Sequence, residues 1–273
     1  MLMNRFFILV FFFLFQVSFA QVVTIEKKSD SIESTIQLQK IKSLDNDLFE
    51  AQTFKGKDQT KINYRLFKPK QITTQKYPLV IVFHGSGAIG TDNKSQLGVL
   101  PKLFASPDVQ INYPTYVLAP QFSTRSSDYD MDLNRKVLFS KPRNCLNSVI
   151  ELIDSLKLSL NIDTKRIYLV GFSMGASTVI NSVSKRPNLF AAAISIAGIP
   201  EFNNLKNFNS TPIWLIHGVD DTENPIKSDE QFFKEMKNKV KFWKLNGTTH
   251  NNVFSTQILG ETLPKWLFKN QKK

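Results

Sequence analysis

Short, uninterrupted apolar runs alternate along this chain with longer stretches whose apolar residues recur every three or four positions. The runs at 79–83, 116–119, 167–170, 191–197 and 213–216 are rich in Val, Ile, Leu, Phe and Ala, and a last strand follows at 240–245. Strands without polar alternation are those buried on both faces, as in a parallel sheet. Between them, Leu146, Val149, Ile150, Leu152, Ile153 and Leu156 fall on one face of a helix. From Ala176, Val179, Ile180 and Val183 do the same until Lys185-Arg186-Pro187 stops them. Further helices are expected around 97–104, over 230–236 with Ser228 or Asp229 as its cap, and over 256–268.

The front of the chain has a different period. Residues 49–54 and 62–67 alternate apolar and polar around Lys55-Gly56-Lys57-Asp58, which predicts an antiparallel hairpin ended by Pro69. Residues 121–132 are polar and are expected to form a loop. Residues 21–47 are polar too, with a weak helical pattern at Ile32, Ile36, Leu38 and Ile41, and predict a leader segment into the domain. Strands separated by helices define an α/β protein with a mostly parallel central sheet and helices on both faces. One catalytic domain is expected over 48–273, without internal repeat or dividing linker.

The first residues change the picture. Arg5, the apolar run 6–15 and Ser18-Phe19-Ala20 have the form of a secretory signal peptide over 1–20. The run is too short for a bilayer, which takes about 20 residues. No cysteine lies near Ala20, so neither a lipid nor a membrane anchor is expected. A secreted or periplasmic protein is the expectation. Its only cysteine is Cys145, so packing alone, without an internal disulfide, must hold the fold. Loss of Arg5 lowers the formal net charge of +12 by one. The lysines are scattered through 55–76 and 234–244, and no nucleic-acid motif or metal-ligand spacing accompanies them. A lysine-rich solvated surface is expected, with no nucleic-acid partner, no metal and no cofactor.

The chemistry gathers at Gly171-Phe172-Ser173-Met174-Gly175, between the strand 167–170 and the helix from Ala176. A G-x-S-x-G sequence by itself is common. Strand, turn and helix around it make it a nucleophile elbow, in which Ser173 exposes its hydroxyl and the two glycines clear the space around it. The Met174 N–H then lies at the first helical turn, where a developing oxyanion would sit.

A serine hydroxyl needs a base, and the base needs a group to orient it. There are three histidines. His84 ends the strand that leads into Gly85-Ser86-Gly87, ahead of the elbow. With His217 as base, the only acid between it and Ser173 is Glu201, a weak candidate beside Pro200. His250 follows the last strand in Asn246-Gly-Thr-Thr-His-Asn-Asn, a polar turn able to bring an imidazole over the sheet edge. The loop after Ile216-His-Gly-Val holds Asp220 and Asp221, and Asp221 is preferred as the third member.

These motifs resemble the α/β-hydrolase esterases. The resemblance rests on His84-Gly-Ser-Gly87, Val117-Leu-Ala-Pro-Gln121, Gly171-Phe-Ser-Met-Gly175, His217-Gly-x-x-Asp221-x-x-x-Pro225 and the isolated His250, and covers roughly 60–268. It is nearest to a group of secreted esterases and peptidases with feruloyl-esterase-like and polyhydroxyalkanoate-depolymerase-like relatives. The resemblance implies a Ser173–Asp221–His250 triad and an oxyanion hole from the Ser86 and Met174 N–H groups. It also implies that His84 and His217 hold the loops after their strands. Asn224 departs from the family pattern, which has an apolar residue before the loop proline.

The expected activity is hydrolysis of carboxylic esters through an acyl-enzyme, on a small-molecule or polysaccharide-linked ester. Two alternatives use or abandon the same constellation: a prolyl-oligopeptidase-type peptidase, whose gating propeller has no room here, and a non-catalytic hydrolase scaffold. The connection 199–211 is too short and polar to be a large lid. An open cleft is therefore expected, edged by 199–211 and 121–132, with Phe122 and Tyr129 contacting the ligand.

Overall fold

The computed structural model describes residues 22–26, 32–70, 74–237 and 239–272. The signal segment expected over 1–20 lies outside them. The chain begins with β1 (Val22–Glu26), α1 (Ile32–Lys42), β2 (Glu50–Lys55), β3 (Lys61–Phe67) and β4 (Tyr77–Phe83). It continues with α2 (Val99–Ala105), α3 (Pro107–Asn112), β5 (Tyr116–Gln121), β6 (Ser127–Asp132), β7 (Val137–Pro142) and α4 (Cys145–Ser159). Then follow β8 (Ile162–Phe172), α5 (Met174–Lys185), β9 (Ala192–Ile196), β10 (Ile213–Gly218) and α6 (Lys227–Glu235). The last elements are β11 (Val240–Asn246), α7 (Thr256–Leu259) and α8 (Thr262–Phe268).

Nine strands form one sheet in the order β1-β11-β10-β9-β8-β4-β5-β3-β2. Only β3 runs against its neighbours, pairing antiparallel with β5 and with β2. Each central strand is apolar throughout because side chains of alternating parity enter two cores. On β4, Leu79, Ile81 and Phe83 meet α4, α5 and α6 through residues such as Val149, Val179 and Phe232. Val80 and Val82 meet α1, α2, α7 and α8 on the other face through Ile41, Phe104, Leu259 and Leu263.

The chain moves outward from β4 to β5, then crosses back to β8 on the other side of β4. Where strand order reverses in this way, the loops at the carboxyl ends part and leave a crevice. Ser173 follows β8 and Ser86 follows β4, so both stand at that switch point.

Three expectations change. The leader contributes a strand of the main sheet: β1 pairs in parallel with β11, from Val22 opposite Phe242 to Glu26 opposite Asn246. The loop expected at 121–132 carries β6, which pairs antiparallel with β7 as a separate ribbon. The closing helix is two helices, α7 and α8, with Gly260 and Glu261 between them.

Candidate active site

The turn after β8 is strained. Ser173 has φ 57° and ψ −123°, backbone values that cost a residue with a Cβ about 1–3 kcal/mol. Close approaches on both sides hold it there. A Cβ on Gly171 would lie 2.3 Å from the Gly175 oxygen, and a Cβ on Gly175 would lie 2.2 Å from the Phe83 oxygen. The elbow helix thus passes against the end of β4 with no space for a methyl group. Gly175→Ala is expected to cost at least about 1–3 kcal/mol, the range for overpacking, and to lower activity with it. Denaturant unfolding checks this, and an unchanged midpoint would contradict the close approach. The Ser173 N–H donates to the Ile196 oxygen at 2.9 Å, so the first free amide of the helix is that of Met174.

The loop after β4 is fixed by His84. The Phe122 N–H donates to its Nε2 at 3.0 Å, so its other nitrogen carries the proton and donates to the Gly85 oxygen at 2.8 Å. His84 is therefore a neutral strut, and burial lowers its pKa accordingly. Gln121 secures the loop further on, donating to Asp92 Oδ1 and the Ala88 oxygen and accepting from the Asn93 N–H. A Cβ on Gly85 would lie 3.4 Å from Ser173 Cβ, so the turn at Gly85 passes close beside the serine. Next to this loop opens a cavity of about 270 Å³, bordered by Gly85, Gly87, Val99, Pro101, Phe172 and Phe254.

His250 reaches the serine from the loop after β11. Its Nε2 is 2.8 Å from Ser173 Oγ and its Nδ1 is 2.7 Å from Asp221 Oδ2. The ring lies 4.9 Å from that of Phe172, which packs under it. Asp221 Oδ1 accepts from the N–H groups of Glu223 (2.9 Å) and Asn224 (2.8 Å). Burial raises the Asp221 pKa, but hydrogen bonds from His217, His250 and Asn224 outweigh it and hold the group well below the usual carboxylate range. An ionised carboxylate here fixes the His250 tautomer with Nε2 free to take a proton from Ser173.

The other candidates fall away from the serine. Asp220 is exposed, with its N–H donating to the Thr248 oxygen at 3.0 Å. Glu201 is buried against Ser184, whose hydroxyl donates to it at 2.5 Å near the far end of α5. Asn224 is not a flaw in the aspartate loop: its Nδ2 donates to the Ala197 oxygen and its own oxygen accepts from His217.

Phe122 is fully buried against Phe83 and His84, so it belongs to the core and not to the cleft. Tyr129 is half-buried, with its hydroxyl 3.1 Å from Ser177 Oγ, one helical turn beyond Ser173. The β6–β7 ribbon that carries it is clamped onto α5 by Ser126–Thr178 and Asn181–Ser127 bonds, and onto α6 by Arg135–Glu235. The segment 199–211 does not edge an open cleft as a polar rim. Ile199, Phe202 and Phe208 are buried, and the Pro200 oxygen accepts from Ser140 of β7. Its apolar residues are too widely spaced among asparagines to show this in the sequence. The ribbon is hard to read from the sequence because its buried positions include serines, Ser127 and Ser140, while Met131 is exposed.

A sheet of this order with a strained serine at its switch point is that of an α/β hydrolase. The chain belongs to the phospholipase/carboxylesterase family, whose model matches residues 71–256. Among solved structures it is similar to a thermostable esterase, at 32% identity with a TM-score of 0.74, over 83% of this chain and 64% of that one. It is 35% identical over 91 residues to a bifunctional acetylxylan esterase/xylanase of Neocallimastix patriciarum, covering 33% of this chain and 14% of the relative. Acetylxylan esterase A of Emericella nidulans is 24% identical over 162 residues, 57% of this chain and 50% of the relative. The chain thus spans half or less of the curated relatives it matches.

Proposed function

We propose that this protein is a serine hydrolase of carboxylic esters that works through an acyl-enzyme. The observation that carries this reading is the unbroken Ser173–His250–Asp221 line of hydrogen bonds at the apex of a strained turn. Ser173 Oγ attacks the ester carbonyl as its proton passes to His250 Nε2, and the carbonyl π electrons move onto oxygen. The Met174 and Ser86 N–H groups receive that oxyanion. Collapse expels the alcohol, which takes the proton from His250. Water, deprotonated by His250, then attacks the acyl-Ser173 ester and releases the acid and the free serine.

The substrate proposed is a short-chain acyl ester, or an acyl or phenolic acid esterified to a polysaccharide. Membership of the carboxylesterase family and the acetylxylan esterase relatives support it. The small cavity beside the oxyanion loop supports it too, since among the described residues no inserted cap separates β9 from β10. Secretion or periplasmic location is part of the proposal, on the strength of residues 1–20.

A panel of nitrophenyl esters of increasing acyl length, a feruloyl ester and peptide anilides tests this. Acetyl to butyryl esters should turn over fastest, without activation at an oil–water interface. Faster cleavage of the anilides would make the protein a peptidase, and a rate jump on emulsified long-chain triglyceride would overturn the substrate class.

A further inference from the structure

His217 is one of three histidines, and the proposed reaction does not use it. It is the penultimate residue of β10 and is fully buried, as is Asp229 in the first turn of α6. Its Nδ1 lies 2.7 Å from Asp229 Oδ2, and its Nε2 lies 2.7 Å from the Asn224 oxygen and 3.3 Å from Asp221 Oδ2. A carbonyl oxygen can only accept, so Nε2 must carry a proton. Nδ1 faces a carboxylate, so the second ring nitrogen is also supplied with an acceptor.

Asp229 Oδ1 finds no hydrogen-bond partner among the described residues, and the one described side-chain bond of Asp229 is to His217. A buried carboxylate costs several kcal/mol unless a cation stands against it. The consequence reaches the serine, because Asp221 Oδ2, the oxygen that accepts from His250, is also the one 3.3 Å from His217 Nε2. Asp229, His217, Asp221, His250 and Ser173 form one continuous line.

We propose that His217 is a positioning residue: an imidazolium pinned by Asp229 that shares the Asp221 oxygen with His250 and so sets how firmly His250 holds its proton. This rests on Ser173 and His250 acting as proposed above. Burial opposes the charge and also raises the Asp229 carboxyl above its usual range, but hydrogen bonds to the Asp221 and Asp229 carboxyl groups outweigh it and push the His217 pKa up to about 9. The other charged groups near this line are Glu223, whose Oε2 lies 3.8 Å from His250 Nε2, and Glu230 of α6, paired with Lys244 of β11. Glu223 is exposed, and the Glu230 charge disfavours ionisation of Asp229.

The sign of the effect follows from the shared oxygen. Removing the cation concentrates the Asp221 charge on His250, which then keeps its proton to higher pH. Activity requires neutral His250, so the acid limb of the rate profile must move upward. His217→Gln is expected to lower kcat about 10- to 100-fold with KM changed less than about threefold, and to raise the acid limb by about one pH unit.

Nitrogen-edited NMR of the full chain provides the direct test. The wild type should show one histidine with both ring nitrogens protonated at pH 8, absent from His217→Gln. Asp229→Asn should bring the loss of that proton down by at least about one pH unit. Three neutral histidines at pH 8, or an unmoved acid limb in folded His217→Gln, would overturn the proposal. If His217→Gln does not fold, the wild-type and Asp229→Asn spectra still decide. If no ester is hydrolysed, the proposed function fails alone, since the spectra report the His217 charge without turnover.

Discussion

Ser173→Ala should lower kcat by on the order of 10⁴–10⁶ while the protein stays folded. The size of the loss follows from the chemistry: without Oγ no acyl-enzyme forms, and what remains is water near the two amide donors proposed above. The fold should survive because the turn is imposed from outside. The Ser173 amide is held by Ile196 of β9, and the helix is pressed against the Phe83 oxygen at Gly175. Alanine meets the same backbone strain as serine at φ 57°. The thermal midpoint should therefore stay near that of the wild type. A variant retaining more than about a tenth of wild-type kcat would end the assignment of Ser173.

Asp221→Asn should cost about 10⁴ in kcat. The carboxylate accepts on both sides, from the Glu223 and Asn224 amides at Oδ1 and from His250 at Oδ2, which also lies 3.3 Å from His217 Nε2. An amide has one oxygen and can serve only one side. With its oxygen toward the amides, its NH₂ faces the Nδ1–H of His250 and drives the imidazole to the wrong tautomer. With its oxygen toward the histidines, two loop amides lose their acceptor. Asp220→Asn, at an exposed position, should leave kcat within about twofold, as surface changes usually do. If Asp220→Asn proves the more damaging, the loop has been read in the wrong register.

The sequence carried the elements whose burial is simple. Leu79–Phe83 or Ile167–Val170 can only be buried strands, and a glycine on each side of Ser173 has few purposes besides a tight turn. The candidate Ser173, Asp221 and His250 follow strands in turns that the sequence displays, and the structure brings them within hydrogen-bond distance of one another. What escaped depends on distant partners. Val22–Glu26 has four β-branched residues in a row, a strand signal outweighed by the polar stretch around it, and β11 offers it the edge that makes it a strand. The stretch 126–132 looks like a polar loop because its two buried serines are satisfied by Thr178 and Asn181, far along the chain. Phe122 looked like a ligand contact because an aromatic in a polar stretch can face either way; its backbone bond to His84 turns it inward. Asp229 looked like a helix cap, yet it lies buried against His217.

The central claim is that Ser173 is the activated nucleophile. Treatment with a fluorophosphonate, followed by intact mass and peptide mapping, tests it most directly. A single adduct should form on Ser173, in stoichiometric yield, with labelling abolished by Ser173→Ala and by prior unfolding. An unlabelled native protein, or an adduct on any other residue, would contradict the account.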